Sequence, residues 1–420
     1  MSNFVLVVPP YADYMADPVQ QTSLGILYVS SFLKNQGNEV KILDLSECTL
    51  VGALERLELK EVYSDLFSAE IIGFTCTALD YSNCIALISK MRKILEGKRV
   101  RFILGGPHPS LAQLEILARE DSSLLSSLFF GEIEGRNYDI NTVAFPDRES
   151  IASKGLSNSS IFAGGVHYKG TKSATIITSR GCPHSCAFCA SGNSGYRRFR
   201  MRSADNVGRE LKELVNKYGV YQFRIQDDNI ALDKTRFIDL MSIFKDLGIA
   251  WRASARVDSM DEETVKEAVK GGCKELGFGI ESVDEDVIRL LNKKLDVDRA
   301  RKVIKLCKDN GIKVRLFFMV SAPGETADTV ESNIKFIEDT KPDIVTCASF
   351  VPFPGTQTWI NPEKYGLKIL DKDFTAYKMA LYEEDIPPPV ELLNVSKEEM
   401  FKNRDRMRNF LFSSGYHNKG

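Results

Sequence analysis

Short apolar runs recur along this chain, and each stops abruptly on glycine, proline, aspartate or a hydroxyl residue before a segment of helical period begins. That alternation leaves few folds open: parallel strands joined by crossover helices, with ligands beyond the carboxyl ends of the strands. In the first 140 residues the runs fall at 4–8, 39–43, 71–74, 100–104 and 128–130, with helical periodicity over 24–33 and 80–95. Five such strands predict a doubly wound, Rossmann-like α/β domain over residues 1–140. Its strand ends offer Pro9-Pro10, Asp44, Thr75, Thr77, Gly105-Gly106 and Gly131-Glu132. The glycine pair either shapes a turn or lets the backbone approach something large and flat. No GxGxxG follows the first strand, which argues against a nicotinamide dinucleotide.

Residues 141–172 hold no long periodic element, and 150–165 is rich in Ser, Asn, Gly and Ala, so a linker is expected there. Six further strand-like runs occupy residues 173–360. The first delivers the chain to Thr178, and the second ends in Asp227-Asp228-Asn229. The third carries Ser254 and Arg256, and the fourth stops at Glu281-Ser282. The fifth ends at Ala322-Pro323-Gly324-Glu325, and the sixth at Pro352. Helical segments over 206–218, 237–247, 262–270, 298–310 and 329–337 separate them. This count predicts a partial (β/α)6 barrel of TIM type, with its site at the strand C-terminal ends. Residues 361–420 form a short, mostly helical C-terminal extension. In it Met400, Met407, Phe410 and Leu411 line one side of a helix over 397–412, suited to docking on the barrel.

Of nine cysteines, Cys182, Cys186 and Cys189 fall within eight residues, directly after the first barrel strand. Met1 runs into a strand-like segment with no basic or long apolar leader, and no 18-residue apolar stretch occurs. No signal peptide or membrane span is therefore expected, and a reducing cytoplasm is. In that setting clustered cysteines point to metal or catalysis before disulfides. The formal charge of −2 gives no support for a broad nucleic-acid groove. One loop bearing three thiolates suits a single inorganic centre. That centre is either a four-iron cluster with one open iron, or a structural zinc with His184 as fourth ligand.

The CxxxCxxC spacing, with Phe188 before the third cysteine, resembles the loop of the radical S-adenosylmethionine (SAM) superfamily. The resemblance implies a [4Fe-4S] cluster on Cys182, Cys186 and Cys189 that chelates SAM. Reductive cleavage then gives a 5′-deoxyadenosyl radical, with Phe188 packed near the adenine. It further implies that Asp227, Asp228 and Asn229 hold the methionyl amine. Ser254 and Arg256 would contact its carboxylate or ribose, and Glu281 the ribose or reaction centre. Glu281 and Asp228 are thus the candidate catalytic residues. The family's GxIxGxxE motif aligns on Phe318, Val320, Ala322 and Glu325. Both glycines are replaced, and Val320 remains as the candidate adenine contact.

The segments Leu104-Gly105-Gly106-Pro107-His108-Pro109-Ser110 and Gly131-Glu132-Ile133-Glu134 resemble those of cobalamin-binding domains fused to radical SAM barrels. Thr75, Thr77, Gly105, Gly106, His108 and Glu132 are the cobalamin-binding candidates by that resemblance. The DxHxxG motif that supplies a lower-axial histidine is absent, so base-off cobalamin is implied. The expected activity is methylation of an unactivated carbon, or a phosphorus centre, on a small-molecule or peptide substrate. An external donor such as flavodoxin or ferredoxin would supply electrons. The alternatives are a rearrangement, cyclisation or oxidation on the same cofactors, a transfer-RNA methylthiotransferase-like enzyme, and a non-catalytic corrinoid- or zinc-binding protein. A methylthiotransferase would carry a second cluster on N-terminal cysteines, but Cys48, Cys76 and Cys84 show no matching pattern. With Cys273, Cys307 and Cys347 they read as core thiols.

Overall fold

The computed structural model describes residues 2–11, 23–117, 124–129, 138–151, 155–193, 198–370 and 388–416. The chain divides into two compact units, residues 1–157 and 158–420.

The first unit is built on a five-stranded parallel sheet: β1 (Asn3–Val8), β2 (Glu39–Asp44), β3 (Ile71–Thr75), β4 (Arg101–Gly105) and β5 (Ser127–Leu128). The spatial order β2-β1-β3-β4-β5 puts the switch point between β1 and β3, where an open α/β sheet forms its binding crevice. Val5 and Val7 on β1, Ile72 and Phe74 on β3, and Phe102 and Leu104 on β4 pack with Leu87, Ile88 and Met91 of the helix Tyr81–Ile94. Sequence periodicity missed two short helices, Leu50–Arg56 and Lys60–Ser68, which make the crossover from β2 to β3. Each buries too few apolar residues to show a clear 3.6-residue repeat.

The first unit ends on the short strand β6 (Leu156–Ser157), and the sheet of the second unit begins with β7 (Ser173–Ile176). After β8 (Ser179–Arg180) and β9 (Arg200–Met201), which pair only with each other, come β10 (Gln222–Ile225), β11 (Ala250–Ala255), β12 (Cys273–Glu281), β13 (Lys313–Val320) and β14 (Ile344–Ser349). From β7 through β10 to β14 the neighbours are parallel and in chain order. This is the expected succession of six β/α units. Each crossover helix is defined by its ends. Ser203 caps Ala204–Tyr218, Asp261 and Thr264 form a capping box on Glu262–Lys270, and Thr326 with Thr329 does the same for Ala327–Thr340.

Outward strand residues pack on these helices. Trp251 meets Phe237 and Phe244 edge-on, and Phe318 meets Phe336. The helix Lys397–Ser413 buries Met400, Met407, Phe410 and Leu411, as its apolar side predicted, and packs on Ala327–Thr340. It follows an antiparallel pair, β15 (Leu367–Ile369) and β16 (Val390–Leu392).

The segment expected as a linker, 141–172, is anchored in each unit. Ser30 donates to the Asp147 carboxylate at 2.5 Å and Lys34 pairs with it at 2.8 Å, within the first unit. In the second unit Ile161 and Phe162 pack with Ala250, and the Ala163 N–H donates to Glu275 at 3.0 Å. These are single anchors without a repeat, so periodicity could not find them. Among the described residues no helix is long and apolar enough to cross a membrane.

Candidate active site

The cysteine loop leaves β8 through Gly181, at φ 84°. Two other segments hold it. The Ala187 N–H donates to the Leu291 carbonyl at 2.8 Å, and the Asn292 amide reaches the Ser185 carbonyl at 2.8 Å and hydroxyl at 3.0 Å. The Thr358 N–H donates to the Ala187 carbonyl at 3.2 Å. Cys186 is buried, while Cys182 and Cys189 are half-buried. Burial pushes the Cys182 thiol up and the His184 backbone N–H opposes this. The charges of Asp228, Cys189 and Cys186 add to the rise, so these groups lie within electrostatic reach of one another.

Only one set of three or more metal-ligating side chains among the described residues has all its ligand atoms within 4.8 Å, and that set is Cys76, Asp80 and Cys84. The three loop sulfurs are thus not all within 4.8 Å of one another. His184 is held below its usual pKa by burial and by Arg256, with Lys293 and Lys294 adding to the effect. The Asp258 carboxylate opposes them.

Around the loop, Lys293 is buried and pairs with Glu281 at 3.1 Å, with its ammonium 5.9 Å from the centre of the Phe188 ring. A side chain at Gly279 would put Cβ 2.5 Å from Glu281 Oε1 and 2.9 Å from Lys293 Nζ, so the glycine makes the room for this pair. Arg256 binds Asp258 at 2.8 Å and donates to the Lys293 carbonyl at 3.1 Å. Glu281, Asn292, Lys294 and Ser321 all have positive φ, between 50° and 66°.

In the first unit, the end of β3 and the loop after β4 are bonded together. The Cys76 N–H donates to the Gly105 carbonyl at 2.8 Å, and the His108 N–H to the Cys76 carbonyl at 3.1 Å. A Cβ on Gly106, at φ 106°, would lie 2.8 Å from the Cys76 carbonyl oxygen and 3.3 Å from Thr75 Oγ1. What Gly106 approaches closely is thus the neighbouring loop. His108 is buried, its ring edge-on to Tyr81 at 5.2 Å. Thr77 gives both its N–H (2.6 Å) and its hydroxyl (3.0 Å) to Asp80, whose carboxyl burial raises to about 7. Glu132 lies outside the described residues.

Two families match the chain: the radical SAM superfamily over residues 176–337, and the B12 binding domain over residues 18–134. The chain carries a B12-binding domain and a radical SAM domain. It is 27% identical over 399 residues to an uncharacterized methyltransferase of Pyrococcus horikoshii, covering 85% of this chain and 82% of that protein. It is 30% identical over 202 residues to an anaerobic magnesium-protoporphyrin IX monomethyl ester cyclase of Rubrivivax gelatinosus, covering 47% of this chain and 36% of the cyclase. Among solved structures, the radical SAM methyltransferase TsrM of Kitasatospora setae, with cobalamin and a [4Fe-4S] cluster bound, shares the fold. Its TM-score is 0.69 at 14% identity, over 99% of this chain and 90% of TsrM.

Within this radical SAM enzyme several expected site residues have other employment. Asp227 is buried and accepts from the Thr178 N–H, the Thr178 hydroxyl and Ser179, tying β10 to the start of the cysteine loop. Asn229 bridges Ser259 (2.7 Å) and the Arg256 N–H (3.3 Å). Of the Asp227-Asp228-Asn229 run, only Asp228 has an oxygen without such bracing among the described residues, with Ser191 on the other at 2.9 Å. Val320, the candidate adenine contact, is also engaged within the barrel. Strand alternation turns its side chain outward into the helix layer, and its carbonyl accepts the Phe350 N–H at 2.8 Å. Ser254 lies beside Gly277 on the lumen face, 3.7 Å from where a Cβ there would sit. The sequence reading missed Lys293. Its only signal was an Asn-Lys-Lys run after a short helix, which reads equally well as a solvated turn. It also left Cys76 and Cys84 as unrelated thiols, whereas the helical turn between them brings both against Asp80.

Proposed function

We propose that this chain is a cobalamin-dependent radical SAM methyltransferase acting on an unactivated carbon, or a phosphorus centre, of a small-molecule or peptide substrate. The observation that carries the reading is the joint presence, in one chain, of a B12-binding match and a barrel whose three-thiol loop opens beside a cationic rim. The similarity to a methyltransferase over most of both chains supports it. When bound, the cluster and SAM supply a carbon-centred radical and cobalamin carries the methyl group.

The chain's own residues prepare the site for these groups. Cys182, Cys186 and Cys189 would hold the cluster. Arg256 and Lys293 present positive charge where the methionyl carboxylate must lie if its iron is within reach of the loop. Glu281, held by Lys293, would accept from the ribose hydroxyls, and Asp228 from the methionyl amine. Phe188 packs with Val287, Leu291 and Phe350, giving an apolar wall that excludes water from the reacting atoms. In the first unit the backbone around Thr75, Gly105 and Gly106 would border cobalamin at the switch point. His108, the unit's sole histidine, is packed into the core, in keeping with base-off binding. A flavodoxin or ferredoxin in a reducing cytoplasm would deliver the electrons.

Similarity to the cyclase favours a second reading, cyclisation or oxidation without methyl transfer. Anaerobic turnover with methyl-deuterated SAM separates the two. Methyl transfer requires labelled product with S-adenosylhomocysteine, and 5′-deoxyadenosine without label in product overturns it.

A further inference from the structure

Below the rim, the lumen of the second unit carries a surplus of positive charge. Register places Arg224 beside Arg252 and Arg252 beside Glu275, with Arg315 on the next strand. Glu275 is the single carboxylate among them. Its Oε1 accepts from Arg315 at 2.9 Å and from Arg252 at a long 3.4 Å, and its Oε2 takes the Ala163 N–H. Arg315 also reaches the Thr346 hydroxyl at 3.2 Å. Among the described residues Arg224 has no side-chain hydrogen-bond partner. Three guanidinium groups thus face one carboxylate already shared with the floor of the barrel.

Such a group is costly unless an anion completes it, because buried charges need partners. Arginine cannot escape by shedding its proton. Arg252 feels the strain most. Burial and Arg224 push it down to about 10, which still leaves it charged at neutral pH.

The two inward positions of β12 that follow Glu275 are Gly277 and Gly279, and a Cβ at Gly277 would lie 2.7 Å from the Phe317 ring. Phe317 thus packs directly over Gly277, and the Glu281–Lys293 pair over Gly279. On this lumen face Arg224, Ser254, Arg256 and Phe317 keep some exposure, whereas the outward positions between them are buried.

We propose that Arg224, Arg252 and Arg315 hold an oxyanion of the substrate, a carboxylate or a phosphate, and so orient its reacting atom toward the rim. The inference rests on the reading of this lumen as the substrate chamber of a radical SAM enzyme. Arg–oxyanion pairing supplies both the affinity and the orientation, since a planar fork fixes two oxygens at once.

The test titrates the full-length, cluster-loaded protein with inorganic phosphate and, separately, with succinate, by calorimetry. SAM is present throughout so that Arg256 and Lys293 are occupied. Saturable binding of at least one probe is expected, and the preferred probe tells phosphate from carboxylate. Arg224→Gln should weaken it at least about tenfold, while iron content and SAM affinity stay at parental values. Glu275→Gln removes the competing carboxylate and should tighten binding, a change that a purely structural arginine network would not produce. Failure of both probes to saturate, or equal affinity in Arg224→Gln, overturns the proposal. Turnover products do not enter this measurement. Loss of the oxyanion site therefore leaves methyl transfer standing, and unmethylated product leaves the oxyanion site standing.

Discussion

Replacing Lys293 with methionine keeps most of its buried stem but removes the ammonium that faces Glu281 and the Phe188 ring. The cysteines are untouched, so iron loading should match the parent. SAM affinity, read from the perturbation of the cluster's electron paramagnetic resonance signal, should fall about tenfold or more. Glu325 offers a second measurement at this scale. Burial pushes its carboxyl from 4.5 to about 7, with Asn403 on one oxygen at 3.5 Å. The folded chain keeps a proton there that the unfolded chain releases. The contribution to stability is thus fully present below the unfolded value and lost as pH rises through about 7. Asp80, raised from 3.8 to about 7, acts with the same sign. Urea midpoints should therefore drop between about pH 5 and about pH 8, and Glu325→Gln should reduce that drop by roughly 1–3 kcal/mol. An unchanged profile in the variant would assign the drop to other groups.

At the scale of elements, strand ends were legible in the sequence because apolar runs of period two stop where the chain turns polar. The candidates in the cysteine loop and at Asp228, Arg256 and Glu281 were chosen that way. Which of several adjacent polar residues faces the ligand was not legible, because that depends on bonds between distant segments. Asp227 looks no different from Asp228 until Thr178 and Ser179 are seen to claim it. The turn carrying Asn292 and Lys293 had no signature, because its left-handed residues are not glycines. Gly279 provides the test at this scale. A methyl group there would sit 2.5 Å from Glu281 Oε1, so Gly279→Ala should separate Glu281 from Lys293. The expected result is weaker SAM binding with normal iron content and a near-parental melting temperature. Loss of iron would instead mean that the turn and the cysteine loop move together.

For the molecule as a whole, the two units have separate cores, and the loading of each cofactor should follow its own unit. The triple variant Cys182→Ala, Cys186→Ala, Cys189→Ala should lose iron yet keep cobalamin absorbance when reconstituted anaerobically. Loss of both would make corrinoid binding depend on the barrel. The second unit also concentrates its unusual backbone in one place. Of the five non-glycine residues with positive φ among those described, Glu281, Asn292, Lys294 and Ser321 ring the barrel mouth, and Lys341 alone lies elsewhere. Each such position costs about 1 kcal/mol or more relative to glycine. That energy is spent during folding, so the mouth is already in shape when SAM arrives. Engineers seeking heat tolerance would be drawn to glycine at these four positions, and each gain in robustness there would return to the binding step the disorder that the native backbone has already given up.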